Sequence, residues 1–163
     1  EKLIEAPIVA EKFGKARELV MAVATLGPGI ETEVAEFFRQ KKAVFALALE
    51  EIAVAAIFEL NNLIAAHIAE QAGSRGLKAS SPLYPGNDGF DFSQQRSIYG
   101  LAGGARIGMD ISGGGMLSPV KSASMLFAIG ETAPVWDRRA DCSTCKAREV
   151  CRFRNRGDAS IAA

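Results

Sequence analysis

This chain of 163 residues has few of the side chains on which enzymes most often depend for catalysis. It contains one histidine, three cysteines and one tryptophan, and its acidic and basic residues balance at 19 each. A single histidine excludes a paired-histidine zinc motif and gives little support to a hydrolase built on a histidine base. A net charge of zero gives no indication of nucleic acid or of an acidic substrate.

Long uninterrupted apolar runs are also missing. The most apolar region, 43–70, is interrupted by Glu50, Glu51 and Glu59 and by two asparagines. A membrane-spanning helix needs about 20 consecutive apolar residues, so we expect no membrane partner. The odd number of cysteines and the lack of a visible secretory signal favour a reducing cytoplasm, with free thiols or a metal site.

The local patterns predict several strands. An apolar run over 18–27, ended by glycine, indicates a buried strand. The alternation of side chains over 122–129 is that of a strand with two distinct faces. Shorter strands are predicted near residue 78 and over 106–111, and the glycine-rich stretch between 112 and 120 is expected to let backbone approach a ligand closely.

Three helices are predicted. One follows the strand-to-helix turn at Pro28, and another begins with Ser93 as its N-cap and stops at Gly103 or Gly104. The third covers 43–73 and is rich in Ala, Leu, Ile and Glu. Apolar residues cover most of its surface, so we expect it to lie in the centre of the fold.

All three cysteines lie in a short, arginine-rich C-terminal segment. Cys142, Cys145 and Cys151 fall within ten residues, and seven basic residues stand against three acidic ones between 137 and 156. Three thiolates can hold an iron–sulfur cluster with one iron open, or zinc with a fourth ligand such as Asp141, His67 or water. Metal-free thiols are the third interpretation. The local positive charge favours the thiolate form and suits an anionic ligand or partner.

Several phrases along the chain carry a resemblance to a known family. They include a Ser-Pro-Leu-Tyr-Pro loop, a Gln-Gln-Arg helix start, a Met-Leu-Ser-Pro-Val-Lys-Ser turn, and the Cys-x2-Cys and Cys-x2-Arg pairs of the tail. The chain resembles the activation (S-adenosylmethionine-binding) domain of cobalamin-dependent methionine synthase, and more closely the small stand-alone proteins related to that domain. The matching segments, in order, are 23–34, 46–60, 81–99 and 106–131.

The resemblance implies an α+β fold in which helices pack on a twisted antiparallel sheet. The domain would cover 1–136 and be followed by a metal-binding tail over 137–163. It implies a role in the reductive activation of a cobalamin or corrinoid cofactor held by a partner, a corrinoid protein or a methyltransferase. A redox partner would supply one electron, and this chain would supply binding and orientation. An iron–sulfur centre in the tail fits that role.

The same resemblance assigns residues to the cofactor cleft. They are Pro82, Tyr84, Met116, Lys121 and Ser122. The family's loop reads Arg-x-x-Pro-Gly-Tyr, whereas Ala79 and Leu83 occupy the arginine and glycine positions here. The arginine would pair with the methionine carboxylate, so its replacement argues against binding of S-adenosylmethionine.

Three functions from different classes remain open. The first is the accessory role in corrinoid activation, and the second is a non-catalytic interaction module that holds iron–sulfur or zinc and no longer binds S-adenosylmethionine. The third is a degenerate small-molecule-binding domain without catalysis. The altered loop favours the second and third, while the preserved Met-Leu-Ser-Pro-Val-Lys-Ser turn and the cysteines favour the first or second.

Overall fold

A computed structural model of the chain describes residues 7–87, 89–134 and 149. Within them the fold is mixed α+β, with a small antiparallel sheet, four α-helices and one 3-10 helix. The helices are α1 (Pro7–Phe13), α2 (Gly29–Arg39), α3 (Ala43–Gly73), α4 (Gln94–Ala102) and the 3-10 turn Gly104–Ile107. The strands are β1 (Glu18–Thr25), β2 (Lys78–Ala79), β3 (Asp110–Ile111), β4 (Leu117–Ser118) and β5 (Ser122–Gly130).

The main sheet has three strands in the order β1-β5-β2. β1 and β5 are antiparallel in a register that pairs Glu18 with Ile129 and Thr25 with Ser122. On the other side of β5, β2 is extended by a bridge between Leu83 and Leu126. β5 therefore has neighbours on both sides, which is why it is the most buried strand of the described fold.

β5 separates two hydrophobic clusters. Met125, Phe127 and Ile129 project toward α3, whereas Leu126 and Ala128 project toward α1 and α4. Because successive side chains of a strand point to opposite faces, one strand fills the core on both sides of the sheet. The alternation predicted over 122–129 is confirmed, and the described domain has three layers: α3 with α2 packed on it, the sheet, and α1 with α4.

α3 begins and ends where the sequence predicts, at Ala43 and Gly73, but its expected central position is wrong. Its 31 residues span about 46 Å, while the nine residues of β5 span about 30 Å. The sheet therefore cannot cover the whole helix. Phe45, Ile52 and Leu63 remain exposed, and the buried positions form a narrow stripe of mostly small side chains.

The starts and ends of the shorter elements also differ in detail from expectation. Ser93 has helical backbone angles and no side-chain capping bond; instead its N–H donates to Asp91 Oδ1 at 2.8 Å. The hydrogen bonds from Ser93 lower the pKa of the Asp91 carboxyl. α4 ends at Ala102, and Gly103 follows it with a φ of 73°, the left-handed conformation that glycine adopts freely.

The strand predicted over 106–111 is mostly wrong. A 3-10 turn occupies Gly104–Ile107, Gly108 follows with a φ of 76°, and only Asp110–Ile111 pairs as a strand. The left-handed backbone at Gly108 reverses the chain and prevents a continuous strand.

None of the helices in the described ranges 7–87 and 89–134 combines the length and the apolar character that crossing a membrane requires.

Candidate functional site

The Met-Leu-Ser-Pro-Val-Lys-Ser turn leads directly into β5, where three polar contacts tie it to the rest of the domain. Lys121 Nζ lies 2.5 Å from Glu50 Oε2 on α3. Ser122 Oγ donates to Thr25 Oγ1 on β1 at 2.9 Å. The Val120 N–H donates to the carboxylate of Glu31 on α2. The turn, which contains a cis Ser118–Pro119 peptide bond, is thus fixed from three separate elements.

Lys121 and Ser122 lie on opposite faces of the sheet. Lys121 reaches Glu50 on the α3 side, and the next residue pairs with Thr25 on the α4 side. The side chain of Lys121 is only 10% exposed. Burial of an ammonium group costs free energy unless it is paired, so Glu50 is the partner that allows Lys121 to lie there.

Pro82 and Tyr84 flank Leu83, the residue that bridges to β5. Leu83 exchanges two backbone hydrogen bonds with Leu126, each 2.9 Å long. Tyr84 is half-buried and packs against the hydrophobic cluster beneath α3, and its N–H donates to Asn87 Oδ1 at 2.7 Å. Tyr84 and Lys121 therefore share the α3 side of the sheet, whereas Ser122 does not.

Met116 lies directly before β4, at the end of the glycine-rich loop that joins β3 to β4. Its side chain is exposed, while its N–H donates to Ser112 Oγ at 3.1 Å and its carbonyl accepts from the Ser112 N–H at 2.9 Å. Gln95 donates to the Gly115 carbonyl and Arg96 to that of Ser112. The glycine-rich stretch is thus anchored to α4, with Met116 presented to solvent.

Ala79, which the resemblance aligns with an arginine, gives this position an apolar, uncharged side chain. Ala79 is half-buried and packs against the cluster beneath α3. Lys78 is exposed, as expected for the neighbouring residue of a strand. Neither residue gives the described loop a bidentate donor for a carboxylate.

The cysteines assigned to a metal, Cys142, Cys145 and Cys151, lie outside the described residues. In the ranges 7–87 and 89–134, no group of three His, Cys, Asp or Glu side chains is arranged to hold a metal ion. His67, considered as a fourth ligand, is exposed on α3.

A cavity of about 470 Å³ lies at the other end of β5 from Lys121. It is lined by the end of α1 and by the segment that follows β5, including Lys12, Lys15, Ala128 and Pro134. None of the five residues assigned to the cofactor cleft lines it. The structure therefore does not bring Pro82, Tyr84, Met116, Lys121 and Ser122 together around this cavity.

Sequence reasoning missed the residues that hold the turn. Glu31 and Glu50 are 89 and 71 positions away from their partners, and no local pattern links such distant residues. Gln95 and Arg96 stand out in the sequence only as part of the Gln-Gln-Arg helix start. Comparison with family models and with curated proteins finds no match for this chain.

Proposed function

We propose that this chain is an accessory protein for the reductive activation of a cobalamin or corrinoid cofactor held by a partner. The partner would be a corrinoid protein or a methyltransferase, and Cys142, Cys145 and Cys151 would hold an iron–sulfur centre. One observation carries the proposal. The cysteine triad follows an antiparallel α+β domain in which the Met-Leu-Ser-Pro-Val-Lys-Ser turn enters the central strand.

The donor set of the tail suits such a centre. Three thiolates can ligate an iron–sulfur cluster and leave one iron for another ligand, and arginines close in sequence favour the thiolate form. When bound, the cluster would supply one low-potential electron, which is the requirement of reductive activation. Zinc fits the same three ligands but has no redox chemistry.

The described loop does not fit S-adenosylmethionine in the manner of the family. Ala79 stands where the carboxylate-binding arginine would be, and the buried cation Lys121 is already paired with Glu50. We therefore derive no step through S-adenosylmethionine. The expected contribution of this chain is limited to docking on the partner and to delivering an electron.

The turn that begins at Met116 supports a docking role. The contacts of Lys121, Ser122 and Val120 hold its base in place, so little conformational entropy is lost when it binds. Met116 is exposed at its start, directly before β4, and a thioether adapts well to an apolar surface. This surface would contact the corrinoid-binding partner.

A second candidate is a non-catalytic interaction module that holds iron–sulfur or zinc for structural purposes. The observation that favours it is Ala79, because the loss of the arginine removes the family's substrate anchor. This candidate keeps the metal and the docking surface but does not transfer an electron.

Anaerobic purification and reconstitution, followed by iron, sulfide and zinc analysis and by visible and electron paramagnetic resonance spectra, test the centre. The reduced protein is then mixed with cob(II)alamin and with base-off cob(II)inamide, and the cob(I) absorbance is followed. The Cys145→Ser variant is the control. A colourless, iron-free protein contradicts the proposal. A bound cluster that reduces neither corrinoid, or bound zinc without iron, supports the second candidate.

A further inference from the structure

The side of α3 that points away from the sheet is apolar along most of the helix. We call it the outer face and define it by Phe45, Ala48, Ile52, Ala55, Leu63 and Ala66, all of which are exposed. Their spacing, mostly of three or four residues, keeps them on one side of the helix, opposite the buried stripe that contains Ala46, Ala53 and Ile68. The face extends over about 30 Å.

This face is unusual for a surface in water. Six of the thirteen large hydrophobic side chains that are exposed in the described residues belong to α3. Monomeric proteins rarely expose a contiguous apolar patch of more than a few hundred Å². A helix that is apolar on both sides normally has a partner on each. The sheet packs on one side of α3, and α2 packs beside its N-terminal part, where the ring centroids of Phe37 and Phe45 lie 5.9 Å apart. Neither partner covers Ile52 and Leu63, which stay exposed.

The charges at the two ends of α3 indicate what the second partner is. Lys41 and Lys42 directly precede the helix, and Glu70 lies in its last turn. The N-terminus is the positive end of the helix dipole, so the lysines at the N-terminus and the glutamate at the C-terminus each lie at the end where their charge is unfavourable. None of the four ion pairs found in the described part of the chain involves these three residues. An antiparallel copy of α3 would place Lys41 beside Glu70 and beside the negative end of the partner helix.

We propose that a second copy of this chain packs on the outer face, with the two α3 helices antiparallel about a two-fold axis near Ala55. In the register that pairs Lys41 with Glu70, Phe45 lies opposite Ala66 and Leu63 lies opposite Ala48. Large side chains thus meet small ones, which is the condition for close helix packing. A two-fold axis makes each of these contacts occur twice.

Glu59 is the one acidic residue that lies among the residues of the outer face. Its carboxylate accepts a hydrogen bond from Asn62 Nδ2 at 3.2 Å, but in the proposed register it faces the apolar Ile52 of the other copy. Desolvation of a carboxylate is unfavourable, so Glu59 weakens the dimer. Glu59→Gln should therefore tighten the association, the opposite of what a charge added to this face should do.

Sedimentation velocity over a range of protein concentrations tests the proposal on the full chain. The wild type should be in a monomer–dimer equilibrium, and Leu63→Glu should raise the dissociation constant by at least about tenfold. Leu47→Glu is the matched control, because both leucines are 59% exposed on α3 but Leu47 lies outside the outer face. Circular dichroism checks that both variants keep their helix content, and Ile52→Glu repeats the test at a second position.

A charge swap tests the antiparallel register. Lys41→Glu and Glu70→Lys should each weaken the dimer, and the double variant should recover most of the wild-type affinity. A monomeric wild type at all concentrations overturns the proposal. Equal effects of Leu63→Glu and Leu47→Glu, or a double variant no better than the single ones, also overturn it.

Discussion

Lys121 Nζ and Glu50 Oε2 lie 2.5 Å apart and join the base of β5 to the N-terminal third of α3. The two partners are buried to different degrees. The side chain of Lys121 is 10% exposed, whereas that of Glu50 is 35% exposed. The ion pair therefore has one partner that depends on the contact and another that water can still reach.

This asymmetry predicts unequal effects of the two single substitutions. Glu50→Gln leaves the buried ammonium without a counter-charge and should cost about 2–4 kcal/mol of the free energy of unfolding. Lys121→Met leaves a carboxylate that water can solvate and should cost less, about 1 kcal/mol. Urea denaturation of both variants measures the difference. Equal losses would contradict the role assigned to burial, and the double variant gives the coupling energy.

The central strand should be sensitive to truncation on both faces. Leu126 and Phe127 are fully buried on opposite sides of the sheet, so Leu126→Ala and Phe127→Ala should each cost about 3–5 kcal/mol. Leu19→Ala on the neighbouring strand is the control, because Leu19 is 40% exposed. Thermal or urea denaturation checks that Leu126→Ala and Phe127→Ala each lose more stability than Leu19→Ala. A mild effect at either buried position would show that one face of β5 is not part of the core.

Local patterns in the sequence are enough to predict most of the elements. The helix over 43–73 and the alternation over 122–129 are confirmed, since each depends on propensity and side-chain period. The strand predicted over 18–27 forms as Glu18–Thr25, but its predicted burial is wrong: it lies at the edge of the described sheet and only Ala24 is buried. The burial of α3 could not be predicted, because it depends on the size of the sheet and not on the helix. Gly108 likewise interrupts an apparent strand by its left-handed backbone conformation.

Less of the candidate site than of the fold could be predicted from the sequence. A motif singles out Lys121 and Ser122, and the structure shows that adjacent positions in the chain send them to opposite faces of the sheet. Their partners Glu50 and Thr25 come from distant segments that only the folded chain brings together. The assignment of the three cysteines to a metal lies outside the described residues and stays a prediction.

The Glu18–Arg75 pair should make the stability of the sheet depend on pH. Arg75 donates hydrogen bonds to the Glu18 carboxylate and holds its pKa below the ordinary value of 4.5. Because the folded pKa is lowered, the contribution is present above the unfolded pKa and is lost as the pH falls through the folded one. The stability difference between wild type and Glu18→Gln should therefore shrink below about pH 4.

Equilibrium urea unfolding at several pH values measures this difference, which should be small because both side chains are well exposed. Arg75→Met should remove the same pH-dependent component, and added salt should reduce it in the wild type. A difference that grows on acidification would have the wrong sign and would show that the pair does not form in solution.

Two glycines of the segment after the Ser-Pro-Leu-Tyr-Pro loop should respond to alanine in opposite directions. A Cβ on Gly104 would overlap the ring of Tyr99, whose hydroxyl donates to the Met109 carbonyl at 2.9 Å. Gly104→Ala should therefore displace that ring and cost about 1–3 kcal/mol. Gly100 lies in α4, where a Cβ would meet no neighbouring atom within 4 Å, so Gly100→Ala should gain about 0.5–1 kcal/mol through helix propensity. Thermal denaturation of the two variants measures both effects. A gain at Gly104 would contradict the packing of Tyr99 against the 3-10 turn, and a loss at Gly100 would contradict the open space around that position in α4.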